Sequence, residues 1–302
     1  MRVASNAVIQ ASVDNLMRSQ KALYDANFQI NTELKAPDLK GYGLDAELIL
    51  AGKGAISQSK TYIAAGKMAQ NRMDVQDLAL KELSNQATEL RKALTTDDGD
   101  FIMTKMQEIF EAAQDILNTS HKGEYIFGGT RTDTKPFVAD TIADLQAAAT
   151  IDDTFVNNNR KPTATINKNR TIEVGELANE LGRDLMGVIE RVADFNASAA
   201  GPFAGEITPA QLTFIQTEIQ NAIGAFDQIN TLQARAGSTN KLVDNTIDAQ
   251  IKQRDLLTIM VHDTEGVDPA ETATRFQQAK AALDVSARTF ATLSQVSLLQ
   301  FI

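Results

Sequence analysis

Apolar residues recur every seven positions in the first and last segments of the chain: Ile9, Leu16, Leu23 and Ile30 in one, Phe276, Leu283 and Phe290 in the other. A seven-residue repeat marks a helix that lies along a partner and turns a narrow stripe toward it. Val13, Met17, Tyr24 and Phe28 widen the first stripe irregularly, while Gln20 and Asn27 take places where a strong dimeric zipper would carry Leu. Such a helix is marginal alone and orders when a partner covers it. Ala279, Ala287 and Leu293 fill out the last stripe, and residues 296–302, with Leu298 and Leu299 among them, form an apolar run that calls for cover. The two segments are built alike and are expected to pair, with Ile9, Leu16, Leu23, Ile30, Phe276, Leu283, Phe290, Leu293, Leu298 and Leu299 as the assembly interface.

Between these ends the helical period dominates. Pro37, Gly41 and Gly43 break the first helix. The period resumes near Leu44 and runs to Leu94, with Ile49, Ile56 and Ile63 in one heptad series and Met73, Leu80, Ala87 and Leu94 in another. At ~1.5 Å per residue that segment is on the order of 75 Å long, a length suited to a rod. A turn at 95–100 precedes a helix over 101–120 with Met103, Met106, Phe110, Ala113 and Leu117 on one face. Residues 138–175 lose the period, and Thr163–Ile166 and Thr171–Val174, separated by Asn-Lys-Asn-Arg, predict a short β-hairpin, the one place where strands are expected. Helices return through Leu177–Phe195 and from Thr208-Pro209 onward, the latter with Leu212, Ile215, Ile219, Phe226 and Ile229 inward and an end near Val261. Asp268-Pro269 with Glu271 three residues after the cap opens the last helix in a capping-box arrangement.

The centre of this plan is residues 125–137. Tyr125, Ile126 and Phe127 are bulky enough to enter a core, Gly128-Gly129 permits positive φ, and the polar run to Pro136 suits extended chain. The chain is expected to turn round here. The fold class predicted is mainly α, an elongated coiled-coil rod of long antiparallel helices with a small β-hairpin-containing tip. Residues 1–40 and 265–302 are expected as terminal assembly segments, 41–137 and 176–264 as the rod, and 138–175 as a small insertion.

Composition narrows the function. A net charge of -10 argues against a nucleic acid partner, which needs a basic face, and no run of Lys and Arg reverses it. No window approaches the ~18 apolar residues of a membrane helix, and residues 1–15 show no apolar core of a Sec-type leader. With no Cys there is no disulfide, thiolate metal site or thiol nucleophile. The aromatic share of 6%, without Trp, and only six prolines favour slim helix-on-helix packing. No catalytic constellation assembles, and no cofactor or metal is expected. His121 and His262 are read as structural residues at helix ends, Asp97, Asp98 and Asp100 as turn and capping residues, and Asn118-Thr-Ser and Asn196-Ala-Ser as chance matches to the glycosylation pattern.

Two stretches carry a family resemblance. The run from Gly123 through Tyr125, Ile126, Phe127, Gly128 and Gly129 to Thr134, Lys135, Pro136 and Phe137 is similar to a Tyr-(Leu/Ile)-Phe-(Ala/Gly)-Gly and Pro-Phe signature. The run from Val267 and Asp268 through Leu283 to Ile302 is similar to a family C-terminal helix. Together with the opening Met1-Arg2-Val3 they resemble the flagellin superfamily, and within it the hook-associated proteins of the hook-filament junction. Residues 31–43 depart from the Ser/Thr-Gly-Lys/Arg and Asp-Asp pattern of many relatives. The resemblance implies a non-enzymatic structural subunit of the bacterial flagellum, located outside the cell. It further implies export through the flagellar type III apparatus with a chaperone bound near the C-terminus, and assembly as a ring of identical copies between the other junction protein and flagellin. Tyr125, Phe127, Gly128, Gly129, Pro136 and Phe137 are the signature it implies. A filament-forming flagellin stays open as the alternative, and a cytoplasmic signalling coiled coil is a further one.

Overall fold

A computed structural model describes residues 2–299, and the side chains of 7–294. The chain is mainly α. Helices are α1 (Arg2–Thr32), α2 (Ala46–Leu94), α3 (Gly99–Leu117), α4 (Ile142–Ala147), α5 (Ala178–Ala197), α6 (Pro209–Glu265) and α7 (Pro269–Leu299). Strands β1 (Ser120–His121) and β2 (Glu124–Tyr125) form one antiparallel hairpin, and β3 (Thr163–Asn167) and β4 (Arg170–Glu173) another.

Proline placement explains the two longest helices. No proline lies between Pro37 and Pro136, or between Pro209 and Pro269, so nothing removes a backbone donor inside α2 or α6. Pro209 and Pro269 instead stand at first helical positions, where the missing N–H is no loss. Thr208 and Gln211 close α6 with a reciprocal cap: the Gln211 N–H donates to Thr208 Oγ1 at 3.3 Å, and the Thr208 N–H donates to Gln211 Oε1 at 2.9 Å. Asp98 caps α3 through the Asp100 N–H at 3.1 Å, and Asp268 caps α7 through the Ala270 N–H at 2.8 Å. Glu271 does not complete a box at Asp268; its carboxylate binds Arg275 one turn on.

Two compact units are present, one of residues 1–59 and 252–302, the other of residues 60–251. Both clusters of buried hydrophobic side chains found among the described residues belong to the second. The larger joins Leu80, Leu83, Leu90 and Leu94 of α2, Met106 and Phe110 of α3, Leu185 and Ile189 of α5, and Ile215 and Ile229 of α6. An Arg191–Glu218 clamp ties α5 to α6, its three N–H donations spanning 2.9 to 3.1 Å. The smaller cluster joins Ile63 and Met73 of α2 to Val243 and Ile247 of α6, with Ala164 and Ile172 of the β3–β4 hairpin laid over it. Gly66 permits that approach, because a Cβ there would sit 2.8 Å from Ile247.

Several expectations change. Strands are not confined to the insertion: β1 and β2 precede it, and His121 lies in β1, beyond the end of α3. Their turn, Lys122-Gly123, has φ of 55° and 83°, the double positive φ of a tight hairpin. Residues 138–175 include the helix α4, closed by a Thr141–Asp144 capping box. The β3–β4 turn is shorter than expected, with Lys168 and Asn169 between the strands and a bulge between Thr165 and Asn167. Helix α6 continues through His262 to Glu265. Leu212 is half exposed, at 50%, because the inward face of that turn belongs to Gln211, Ile215 and Glu218, and a neighbour of Gln211 points about 100° away.

Candidate assembly interface

The first unit is organised by the return of the chain at 33–38 and 265–268. The Lys35 N–H donates to the Glu265 carbonyl at 2.8 Å, and the Val267 N–H to the Glu33 carbonyl at 3.0 Å, bridging Leu34 to Gly266. Lys35 Nζ reaches the Thr264 carbonyl at 2.7 Å, and Lys53 of α2 pairs with the nearly buried Glu265 carboxylate. These bonds hold the end of α1 against the start of α7, so the two helices run antiparallel.

Their seam alternates spacings of three and four. On α1 the residues at least half-buried along it are Ile9, Ser12, Leu16, Ser19, Leu23 and Ala26; on α7 they are Thr272, Phe276, Ala279, Leu283, Ser286, Phe290 and Leu293. Large and small side chains alternate along α1 and along α7 as far as Phe290, and at one crossing the hydroxyls of Ser19 and Ser286 meet at 3.1 Å. Ile30 departs from the expected stripe and is 41% exposed. A seven-residue series drifts about 20° per repeat on a straight helix, which carries the last member off the seam. Leu298 and Leu299 fall where side chains lie outside the described residues.

What distinguishes this unit is the missing core. Its buried hydrophobic residues among those described are Ala26, Ile49, Val261 and Ala279. By contrast Val8, Met17, Tyr24 and Val285 on the α1–α7 pair, Leu44 and Leu50, and Leu256, Ile259 and Met260 are all exposed, Leu44 fully. With so few buried apolar residues to set against them, these exposed side chains are candidates for cover by another surface.

The 125–137 stretch lies in the second unit and is knotted internally. Phe127 and Phe137 are buried, and Phe137 packs on Phe110 and Phe155 with ring centroids 6.2 and 5.0 Å apart. Asn118 clamps both backbone groups of Phe137, accepting its N–H and donating to its carbonyl, each at 3.0 Å. The Val156 N–H donates to the Pro136 carbonyl and the Val138 N–H to the Thr154 carbonyl, both at 2.9 Å, so Pro136 and Phe137 pair with Phe155 as extended chain. Gly129 is the glycine with positive φ, 70°, and a Cβ there would stand 2.3 Å from Asn158 Oδ1. Gly128 is required for another reason: its Cβ would meet the Arg131 carbonyl at 2.2 Å. Tyr125 is half-buried in β2, its N–H bonded to the Thr132 carbonyl.

Polar residues that the periodicity passes over hold this knot. Gln76 and Arg72 of α2 both donate to the Ile126 carbonyl at 2.9 Å. Burial pulls the Arg72 guanidinium below its ordinary pKa, against the opposing field of Glu124. The Glu176 carboxylate, 5% exposed, gathers Lys161 at 2.6 Å and Arg235, and Lys161 also meets Glu180 at 2.6 Å. Hydrogen bonding to Glu176 raises the Arg235 pKa. Asn118 is thereby a structural residue. No group of three or more potential metal-ligating side chains occurs among the described residues.

No protein-family profile matches the sequence, and no curated protein does. Solved structures share its fold. A structure described as a flagellar hook-associated protein from Vibrio parahaemolyticus aligns with a TM-score of 0.58 at 16% identity, covering 73% of this chain and 97% of that one. FlgL from Bacillus cereus aligns with a TM-score of 0.50 at 14% identity, covering 66% of this chain and 98% of that one. At such identities the likeness is one of fold.

Proposed function

We propose that this chain is a structural subunit of the bacterial flagellum, an adaptor at the hook-filament junction rather than an enzyme. One observation carries the reading: the unit that holds α1 and α7 has well-formed helices and a half-buried seam, but its described residues include no hydrophobic cluster. Surface left open in this way is completed by other subunits, and identical copies arranged in a ring supply the same stripes to one another. The proposed assembly residues are Ile9, Leu16, Leu23, Phe276, Leu283, Phe290 and Leu293, together with Leu298 and Leu299 from the sequence pattern. The second unit carries the cores and the 125–137 knot, and it gives the assembly a rigid part. The flagellar identity is supported by two features together, the fold shared with hook-associated proteins and the Tyr-Ile-Phe-Gly-Gly and Pro-Phe signature. Flagellin and the other junction protein are the partners on the two sides, reached after type III export with a chaperone on the C-terminal helix.

The test is seeded assembly with purified protein. An adaptor adds to filament seeds as a bounded layer. Unlimited growth of filaments from this chain alone would overturn the adaptor reading and identify a filament subunit. Deleting its gene is expected to leave hooks without filaments and flagellin free in the medium.

A further inference from the structure

Within the second unit, α2, the β1–β2 turn and the start of β3 enclose a cleft of about 580 Å³ that none of the contacts above explains. Its floor is apolar, built from Ala65, Met68 and Ala69 of α2, with Met68 75% exposed. One wall is Pro162–Thr165 with Val174, which follows β4 and bonds to Pro162; Arg170–Glu173 of β4 do not line the cleft, which runs along an edge of β3.

The ladder fixes what that edge offers. The Val174 N–H donates to the Pro162 carbonyl at 2.7 Å, and Ala164 stands opposite Ile172. Backbone direction alternates along a strand, so Ala164 turns its N–H and carbonyl to β4 while Thr163 and Thr165 turn theirs to the cleft. Among the described residues no other backbone meets them there. Native sheets usually block such an edge, because unpaired donors and acceptors invite another strand. Here the bulge lies beyond Thr165 and leaves the two positions open.

The opposite lip has the charge to select what enters. Lys122 and His121, on the β1–β2 turn, face the cleft together with Arg72 and Glu124. Arg72 and Glu124 lie 3.7 Å apart and offset each other, whereas Lys122 makes no ion pair among the described residues. In a chain of net charge -10 this lip carries a cation that no described carboxylate pairs with.

We infer that the cleft is a peptide-docking groove in which an extended, acidic segment of another protein adds as a strand to β3. Its main chain pairs with Thr163 and Thr165, alternate apolar side chains settle on Met68 and Ala65, and a carboxylate meets Lys122. About five residues, at ~3.3 Å each, span the two open positions. Main-chain bonds supply the affinity and the floor and lip the selectivity, as in other strand-addition sites. The inference is independent of the flagellar reading, because it rests on the second unit alone.

The probe is the peptide acetyl-Val-Asp-Val-Asp-Val-amide, added to the full chain at millimolar concentration and followed by amide hydrogen exchange. Exchange at Thr163 and Thr165 is expected to slow at least tenfold, and the matching peptide with Lys in place of Asp is expected to have no effect. Thr165→Pro removes one outward donor and the Thr165–Thr171 hydroxyl contact but leaves the backbone bonds to β4, so it should abolish protection at Thr163 with an unchanged helical spectrum. Lys122→Glu, which leaves β3 untouched, should weaken the acidic peptide at least fivefold. Unchanged exchange with the acidic peptide, equal effects of the two peptides, or full binding by Lys122→Glu would each overturn the inference.

Discussion

Replacing Leu283 and Phe290 by Asp separates the stability of the chain from its ability to assemble. Both side chains are half-buried on the α1–α7 seam, and both lie outside the two hydrophobic clusters of the second unit. Half of the ~1.5–3 kcal/mol gained by fully burying such a side chain is about 1 kcal/mol each, or about 2 kcal/mol for the pair. That loss falls on the α1–α7 pair alone. In an assembly that covers the seam, each new carboxylate is buried without a partner at a cost of about 3 kcal/mol or more. Two sites seven residues apart add, which gives at least about 6 kcal/mol and about four powers of ten in the assembly constant. Urea unfolding followed by circular dichroism reads the first quantity and sedimentation of seeded assemblies the second. The expected result is an unchanged main transition with assembly abolished. A double variant that assembles at wild-type concentration refutes the argument, and so does one whose second unit unfolds at lower urea.

Glu176→Gln should destabilise the second unit by about 2–3 kcal/mol, below the usual range for a broken buried pair because Lys161 keeps Glu180 and Arg235 is half exposed; a change under about 0.5 kcal/mol in urea unfolding contradicts this. Gly129→Ala should cost more than 1 kcal/mol in urea unfolding, since the new Cβ meets Asn158 Oδ1 and the Asn158 and Arg160 carbonyls in a positive-φ backbone, and Asn158→Ala in the same background should not recover the loss, because the carbonyl contacts stay and the Asn158 bonds to Thr130 and Arg160 go. Hydrogen bonds from Thr141 hold the Asp144 carboxyl below its ordinary pKa. A depressed carboxyl stabilises the fold above its unfolded pKa, and this contribution disappears as pH falls through the folded value. The cap of α4 should therefore fray on acidification below the usual carboxylate range, seen as a lower protection of the Thr141 amide relative to its intrinsic exchange rate at the same pH, and Asp144→Asn should remove that pH dependence.

Local chemistry by itself determined the helical plan of this protein. The heptad series Met73, Leu80, Ala87 and Leu94 is buried throughout, Asp98, Thr208 and Asp268 cap the helices they precede, and the six prolines leave α2 and α6 uninterrupted. Helix period, caps and breakers act over a few residues, so one sequence suffices to read them. The β3–β4 hairpin was legible for the same reason. Tertiary structure alone decided which polar residues the core keeps. Asn118 is chosen because Phe137 arrives beside it, Glu176 because Lys161 and Arg235 converge on it, and Gly128 because the Arg131 carbonyl occupies the space of its Cβ. It also decided that Leu212 faces outward, although it fits an inward stripe. Each of these depends on segments distant in sequence meeting in space, and the pattern along one helix carries no record of what packs against it.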